Sequence, residues 1–304
     1  MSKHFFRALF LAAMLVPAAS VVRAQDDQQV KALIVIAHPD DETTFAATVY
    51  KITHDLGGRV DLALITNGEG GFKYSTLAEP IYGVELTDEN VGREYLPTIR
   101  KTELMNAGKI IGIRKFFFLD QQDNTYTLNV DSVLKYVWDV PAIKHRLHTI
   151  ITDGAYDYIF TLLPTEDTHG HHKGATIMAL ETVSEMKKGE RPVVLAGSVS
   201  ARNDTARRSF RGLPGYPLTA ISSGAPSFTF DRTSKFGYRD QLDYRIVVNW
   251  EIAEHKSQGT MQMLMNLGEL ENFWYFDLND RADMSAVERL FTTLAVNRYE
   301  RKEY

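Results

Sequence analysis

The sequence predicts a doubly wound α/β fold, a mostly parallel sheet between two layers of helices. Three observations carry this reading. Short apolar runs at 32–37, 60–66, 115–120, 158–163 and 193–196 alternate with stretches of helical periodicity. The run Lys115 to Asp120, with Phe116, Phe117, Phe118 and Leu119, is apolar on both faces, as in a central parallel strand. The residues richest in chemistry, His38-Pro39-Asp40-Asp41-Glu42 and Thr168-His169-Gly170-His171-His172, follow two of these runs, where such sheets collect ligands.

After the first strand, Thr43 to Leu56 has helical spacing, with Phe45, Val49 and Ile52 on one face and Gly57-Gly58 as the stop. Val60 to Thr66 is the second strand. It runs into Asn67-Gly68-Glu69-Gly70-Gly71, a loop whose glycines let backbone approach a ligand, though it matches neither a P-loop nor a dinucleotide fingerprint. Residues 72–96 read as an irregular insertion over the site. Pro97 then opens a helix that Gly112 closes. Asp131 to Trp138 and Ala142 to Thr152 are helical, split by Pro141. A His-rich loop follows the strand at Tyr158 to Leu163, and Gly174 to Met186 is a helix. Val193 to Ala196 is a further strand. Residues 200–245, rich in Arg, Ser, Gly and Pro, form an irregular cover, with a hairpin near Ser227 to Asp231. Arg245 to Asn249 reads as a strand and Glu251 to Met265 as a helix. Ser285-Ala286-Val287-Glu288 reads as a capping box opening a last helix to about Tyr299.

The 304 residues, 44% hydrophobic and 24% charged, suit a globular chain with a sizeable core. Residues 1–24 stand apart: Lys3 and Arg7 precede an apolar run from Ala8 to Val16, and Val22-Arg23-Ala24 offers a cleavage site. They read as a signal peptide, which predicts export to the periplasm or outside the cell, and the apolar run is too short to span a bilayer. Residues 25–304 read as one domain, with a core at about 31–265 and a C-terminal extension at 266–304. Without cysteine the chain has no disulfide framework and no lipid-modified Cys, so no stable membrane anchor is expected. The net charge of −5 becomes more negative when Lys3, Arg7 and Arg23 leave, which argues against nucleic acid as a partner.

One imidazole and three carboxylates within His38 to Glu42 repel one another when buried, so they call for a cation, a proton-transfer role, or both. Helix capping accounts for the acids but not for His38. Three imidazoles at His169, His171 and His172 reach the same sheet edge. Two His and one carboxylate with open positions is the ligand set of hydrolytic zinc and also of non-haem iron, so ligand count leaves both metals open. Asp40 favours hydrolysis, because a carboxylate beside a ligand can take a proton from metal-activated water.

Ala37-His38-Pro39-Asp40-Asp41-Glu42 with the later His-x-x-His resembles the PIG-L (LmbE-like) family of zinc-dependent N-acetylglucosamine deacetylases. Thr66-Asn67-Gly68-Glu69, Ile99-Arg100-Lys101-Thr102-Glu103-Leu104 and His255-Lys256-Ser257-Gln258 extend the similarity, which covers residues 31–265. The resemblance implies a Rossmann-like fold with Zn2+ held by His38, Asp41 and His172, and Asp40 as the base that activates zinc-bound water against an amide carbonyl. His169 is implied as the oxyanion stabiliser or acid, Arg100 as a substrate anchor, and Glu69 and Asp123 as partners of sugar hydroxyls. The substrate implied is a small molecule or glycan bearing an N-acetyl group. The chain departs from the family at Gly170-His171, where relatives carry a carboxylate. That makes His171 a second candidate for the acid, and for the ligand in place of His172. Rival readings are a non-catalytic sugar-binding protein on the same fold and an Fe2+ oxygenase.

Overall fold

The computed structural model describes residues 29–296 apart from Ser222 and Gly224, so the segment read as a signal peptide and the chain beyond residue 296 lie outside it. Among the described residues nine strands form: β1 Lys31–Ile36, β2 Arg59–Thr66, β3 Ile113–Gln121, β4 Tyr158–Leu162, β5 Val193–Ser200, β6 Phe228–Asp231, β7 Lys235–Phe236, β8 Leu242–Asp243 and β9 Leu270–Tyr275. The helices are α1 Ala46–Tyr50, α2 Glu79–Tyr82, α3 Glu89–Ile111, α4 Val130–Tyr136, α5 Val140–Gly154, α6 Gly170–Glu185, α7 Arg245–Glu254, α8 Gly259–Gln262 and α9 Met284–Leu294. Seven strands make one sheet in the order β3-β2-β1-β4-β5-β9-β6, and β7 and β8 pair separately. β1 to β5 are mutually parallel, while β9 is antiparallel to both of its neighbours. The predicted mostly parallel α/β sheet is what forms.

Side chains alternate along β1. Ala32, Ile34 and Ile36 pack with Val49, Leu104, Val248 and Leu290 from α1, α3, α7 and α9. Leu33 and Val35 pack with Val133, Leu147 and Ala179 from α4, α5 and α6. All five β1 side chains from Ala32 to Ile36 are fully buried, each large aliphatic contributing roughly 1.5–3 kcal/mol. The sheet order reverses at β1, flanked by β2 on one side and β4 on the other, so the carboxyl ends of β1 and β4 bound the crevice of a switch point.

Several predicted elements fall elsewhere. α3 starts at Glu89, not Pro97: Asp88 caps it, accepting from the amides of Asn90 and Val91, and Pro97 sits inside the helix. Arg93 and Arg100, seven residues apart, therefore share a helix face. β3 is an edge strand rather than a central one, because an apolar run on both faces reports helices above and below, not a neighbour in the hydrogen-bonding direction. Arg245 to Asn249 is helical, not extended. Its β-branched run gives a local strand signal, yet Val247, Val248, Glu251 and Ile252 are buried at helical spacing. Pro141 lies in the first turn of α5. Ser285 sits inside α9 and caps nothing, while Asp280 caps the preceding turn by accepting from the amide of Ala282. β9, unread in the sequence and inside the expected C-terminal extension, enters the main sheet and gives β6 its partner.

Candidate metal centre and active-site cleft

β1 ends at Ile36, and the next residues turn sharply under restraint. Asp41 Oδ2 accepts the amides of Ala37 (3.1 Å) and His38 (2.8 Å), closing the turn and leaving Oδ1 to face outward. Thr66 at the end of β2 holds the carbonyl of Ala37 through both its amide and its hydroxyl. Asp40 lies between these anchors with φ 125°, a region that costs a non-glycine residue about 1–3 kcal/mol. Glu42 Oε2 accepts the Asp40 amide (2.9 Å), and Arg100 reaches Asp40 Oδ2 (3.0 Å) and the Pro39 carbonyl. The strain is fixed by contacts on both sides.

The second motif is a helix start rather than a loop. α6 begins at Gly170, and His169 caps it, its Nδ1 accepting the amide of His171 at 3.0 Å. An imidazole replaces the usual Ser, Thr, Asp or Asn cap, so no ordinary start signal stands there. His172 Nε2 lies 3.0 Å from His38 Nδ1 and 3.1 Å from Asp41 Oδ1, and His38 Nδ1 is 3.7 Å from Asp41 Oδ2. Ligands bound at about 2.0–2.1 Å in a tetrahedron stand about 3.3 Å apart. Two of these edges lie close to that spacing, and one ligand atom each from His38, Asp41 and His172 lies within 4.8 Å of the others, so the three can hold a divalent cation.

Charge follows the same geometry. Burial works to raise the Asp41 carboxyl, but facing His172 and His38 hold it well below the usual range, while His172 is raised mainly by Asp41 against its own burial. Asp40 is pushed up to about 6 by burial, opposed chiefly by the Arg100 guanidinium. His169 is driven down to about 2 by burial and by neighbouring imidazoles. With Nδ1 occupied as an acceptor, neutral His169 carries its proton on Nε2.

These groups open into a cleft of about 490 Å³ lined by His38, Asp40, Asp41, His169 and His172 on its floor and by Phe72, Tyr74, Tyr126 and Met261 on its walls. Arg100 and Asp123 also line it. The other expected contacts are less direct. Arg100 is 3% exposed and spends its donors on Gly68, Pro39 and Asp40. Glu69 does not reach the cleft wall: its Oε1 accepts the Asp123 amide, and burial raises its carboxyl. His171 is fully buried behind His38 and stacks on Trp138, away from the open cleft. The glycine loop serves packing as well as approach, since a Cβ at Gly68 would lie 2.6 Å from Arg100 and one at Gly70 would lie 2.7 Å from Asp123.

Two supporting motifs meet below the cleft. Ser257 binds both oxygens of Glu103 through its amide (2.9 Å) and hydroxyl (2.6 Å), tying α3 to the turn after α7. That turn delivers His255, whose Nε2 sits 2.6 Å from Glu42 Oε1. Tyr82 also bonds Glu103, whereas Tyr95 is exposed and lines no part of the cleft. His54, His145 and His148 are exposed on helices, as their spacing suggested. The sequence reading missed Asn124, Tyr126 and Trp138. Arg93 pins the first of these loops by donating to the carbonyls of Asp123 and Asn124, a long-range contact with no local signature.

Residues 33–183, from β1 through most of α6, match the family described as PIG-L, GlcNAc-PI de-N-acetylase. The chain is similar to the probable N-acetyl-α-D-glucosaminyl L-malate deacetylase 2 of Bacillus cereus strain ATCC 14579, 25% identical over 80% of this chain and 96% of that one. It is also similar to the protein of the same name from Bacillus subtilis strain 168, 26% identical over 57% of this chain and 69% of the relative. In fold it is similar to the 4-carboxy-2-hydroxymuconate hydratase GalB of Pseudomonas putida KT2440, with a TM-score of 0.51, 12% identity and coverage of 81% and 95%. Together with the two motifs at the β1 and β4 ends, these matches identify the chain as a member of the PIG-L (LmbE-like) family.

Proposed function

We propose that this protein is a metal-dependent amidohydrolase that removes the acetyl group from an N-acetylglucosamine-type sugar or a glycoconjugate carrying one. The observation that carries the reading is a metal-spaced triangle, His38, Asp41 and His172, with a second, partly buried carboxylate, Asp40, kept beside it by Arg100. The curated relatives carry deacetylase names, while the hydratase of similar fold is a reminder that the fold alone does not choose the chemistry.

A divalent cation such as Zn2+ at that triangle would polarise the amide carbonyl and acidify water beside it. Asp40 takes the proton from the attacking water. Its raised carboxyl makes it a better base than a surface carboxylate, and Arg100 keeps it aimed and ionised near neutrality. We therefore assign Arg100 to positioning Asp40 in preference to gripping substrate. His169, neutral with its proton on Nε2, donates to the developing oxyanion, so the family carboxylate missing at His171 is not needed for that step. Glu69 orients the Asp123 amide, and Asp123 presents its carboxylate to the cleft. Tyr74 and Tyr126 offer exposed rings for a sugar face.

The test is acetate release from a panel of N-acetylated sugars by metal-loaded protein. Tight sugar binding with no acetate released at full metal occupancy would sink the hydrolase reading and leave a binding protein. We also propose export, on the pattern of residues 1–24, with Gln25 as the first residue recovered by N-terminal sequencing outside the cytoplasm. Among the described residues no helix is long and apolar enough to cross a membrane.

A further inference from the structure

The chain from α8 to Leu267 is built the wrong way round for a surface turn. Gln262 points inward, its Nε2 donating to the carbonyls of Ile252 (2.7 Å) and His255 (2.9 Å) near the end of α7. Asn266, at φ 63°, is spent on the same frame: its amide donates to Asn249 Oδ1 (2.9 Å) and its Oδ1 accepts from Asn249 Nδ2 (2.8 Å). The polar groups hold the turn to α7, and the apolar ones are left outside. Met263 is 75% exposed, and Leu264 and Leu267 are exposed with it. The turn Thr76–Ala78 packs on α8 and carries Leu77, 67% exposed, with Ile81 of α2 exposed just beyond. Apolar area held in water forgoes the free energy that burial would contribute, so a shelf fixed in this way marks a contact surface.

We infer that this shelf of Leu77, Ile81, Met263, Leu264 and Leu267 receives an apolar aglycone, so that the substrate is an N-acetylated amino sugar whose anomeric oxygen carries an alkyl or aryl group. Continuity with the cleft chooses this occupant. Tyr74 and Met261 line the cleft wall, and the chain passes from each of them directly onto the shelf. Met261 is tied to the metal-binding turn as well, since Thr43 Oγ1 donates to its Sδ at 3.9 Å. Whatever leaves the cleft on that side meets the shelf first, and flexible thioethers at Met261 and Met263 adapt to its shape. Lys73 is the competing feature, an exposed ammonium 5.6 Å from the Phe72 ring centre on the same wall, which would select a carboxylate instead. An exposed ion pair contributes little, whereas covering five apolar side chains adds with area.

The inference rests on the deacetylase reading for the sugar, and one experiment separates the two. Acetate release by metal-loaded full-length protein is measured on methyl, butyl, octyl and carboxymethyl N-acetylglucosaminides, each below its micelle concentration. kcat/KM should be roughly tenfold higher for octyl than for methyl, the effect of about two fully buried methylenes, and should rise through KM with kcat little changed. The octyl-to-methyl ratio should fall toward one in the double variant Met263→Ser, Leu264→Ser and, made separately, in Leu77→Ser. Equal kcat/KM for methyl and octyl, or a preference for carboxymethyl, overturns the apolar aglycone and leaves the deacetylase reading standing. If no sugar releases acetate, that reading falls, and calorimetric titration with the same methyl and octyl glycosides decides the shelf: a tighter Kd for octyl supports it and equal Kd overturns it. A ratio of one together with sedimentation on phosphatidylglycerol vesicles, or with self-association that the double variant abolishes, gives the shelf to a bilayer or a second copy and overturns the inference.

Discussion

Two buried clusters of histidine and carboxylate lie back to back at the end of β1, and they differ in what closes them: one opens to a cleft, the other is sealed around a short hydrogen bond. Asp41 joins His38 and His172 across 3.0–3.7 Å at the floor of an open cleft. Its neighbour Glu42 points the other way, to His255 at 2.6 Å and Glu251, in a pocket where all three side chains are fully buried. A separation of 2.6 Å is a charge-assisted hydrogen bond and leaves no room for an ion between the atoms. Against burial, the two carboxylates hold His255 protonated well above its usual range, and burial beside Glu42 raises Glu251. Adjacent acids of one motif thus do different work: Asp41 faces outward to bind, while Glu42 locks the strained Asp40 from behind through the Asp40 amide.

The contrast breaks most sharply at His38. His38→Ala should lose bound metal and reduce turnover to background, checked by metal analysis and acetate release; full metal content would remove His38 from the ligand set. Asp40→Asn should keep its metal and lose about 10²–10⁴-fold in kcat. A rate within a few-fold of wild type would strip Asp40 of its role as base. On the sealed side, Glu42→Ala leaves a buried histidine without its main counter-ion and should cost about 3–5 kcal/mol of stability by denaturant unfolding. Loss of turnover with unchanged stability would instead make Glu42 part of the chemistry.

Smaller effects sharpen the same division. A base must be ionised, so kcat/KM should rise with pH through an acid limb at or below about 6, the value to which burial pushes Asp40. Arg100→Gln removes the cation that opposes this rise, so the limb moves to higher pH; a limb that stays in place would uncouple Arg100 from Asp40. Tyr126, exposed and edge-on to His169 at 4.8 Å between ring centres, should affect binding alone. Tyr126→Ala is expected to raise KM a few-fold, about 0.5–1.5 kcal/mol, with kcat unchanged.

The legible part of the site was local. His38, Asp40 and Asp41 are crowded into four residues, and no ordinary core or cap accounts for such a group, so its chemistry could be read without a fold. The alternation of apolar runs and helical periodicity likewise announced the parallel sheet, because strands buried on both faces carry their signal in consecutive residues. Where signals competed the reading failed. β-branched Ile246, Val247 and Val248 spoke for a strand, and only packing of α7 against the sheet made them helical. Pro97 spoke for a helix start, and the Asp88 cap overruled it.

Sequence by itself therefore determined the sheet class and the groups able to bind a cation, since both follow from side-chain chemistry at fixed short spacing. Tertiary structure decided the rest. It turned Asp41 and Glu42 to opposite sides, put Arg100 on Asp40 and Glu69 behind Asp123, and made His169 a helix cap with its proton on Nε2. It also set His171 and Asp123 against the second nitrogen of His38. Apart from the His169 cap, these depend on contacts between residues about 50 to 210 apart in the chain, which no local pattern encodes because they are fixed by how the sheet and its helices close together.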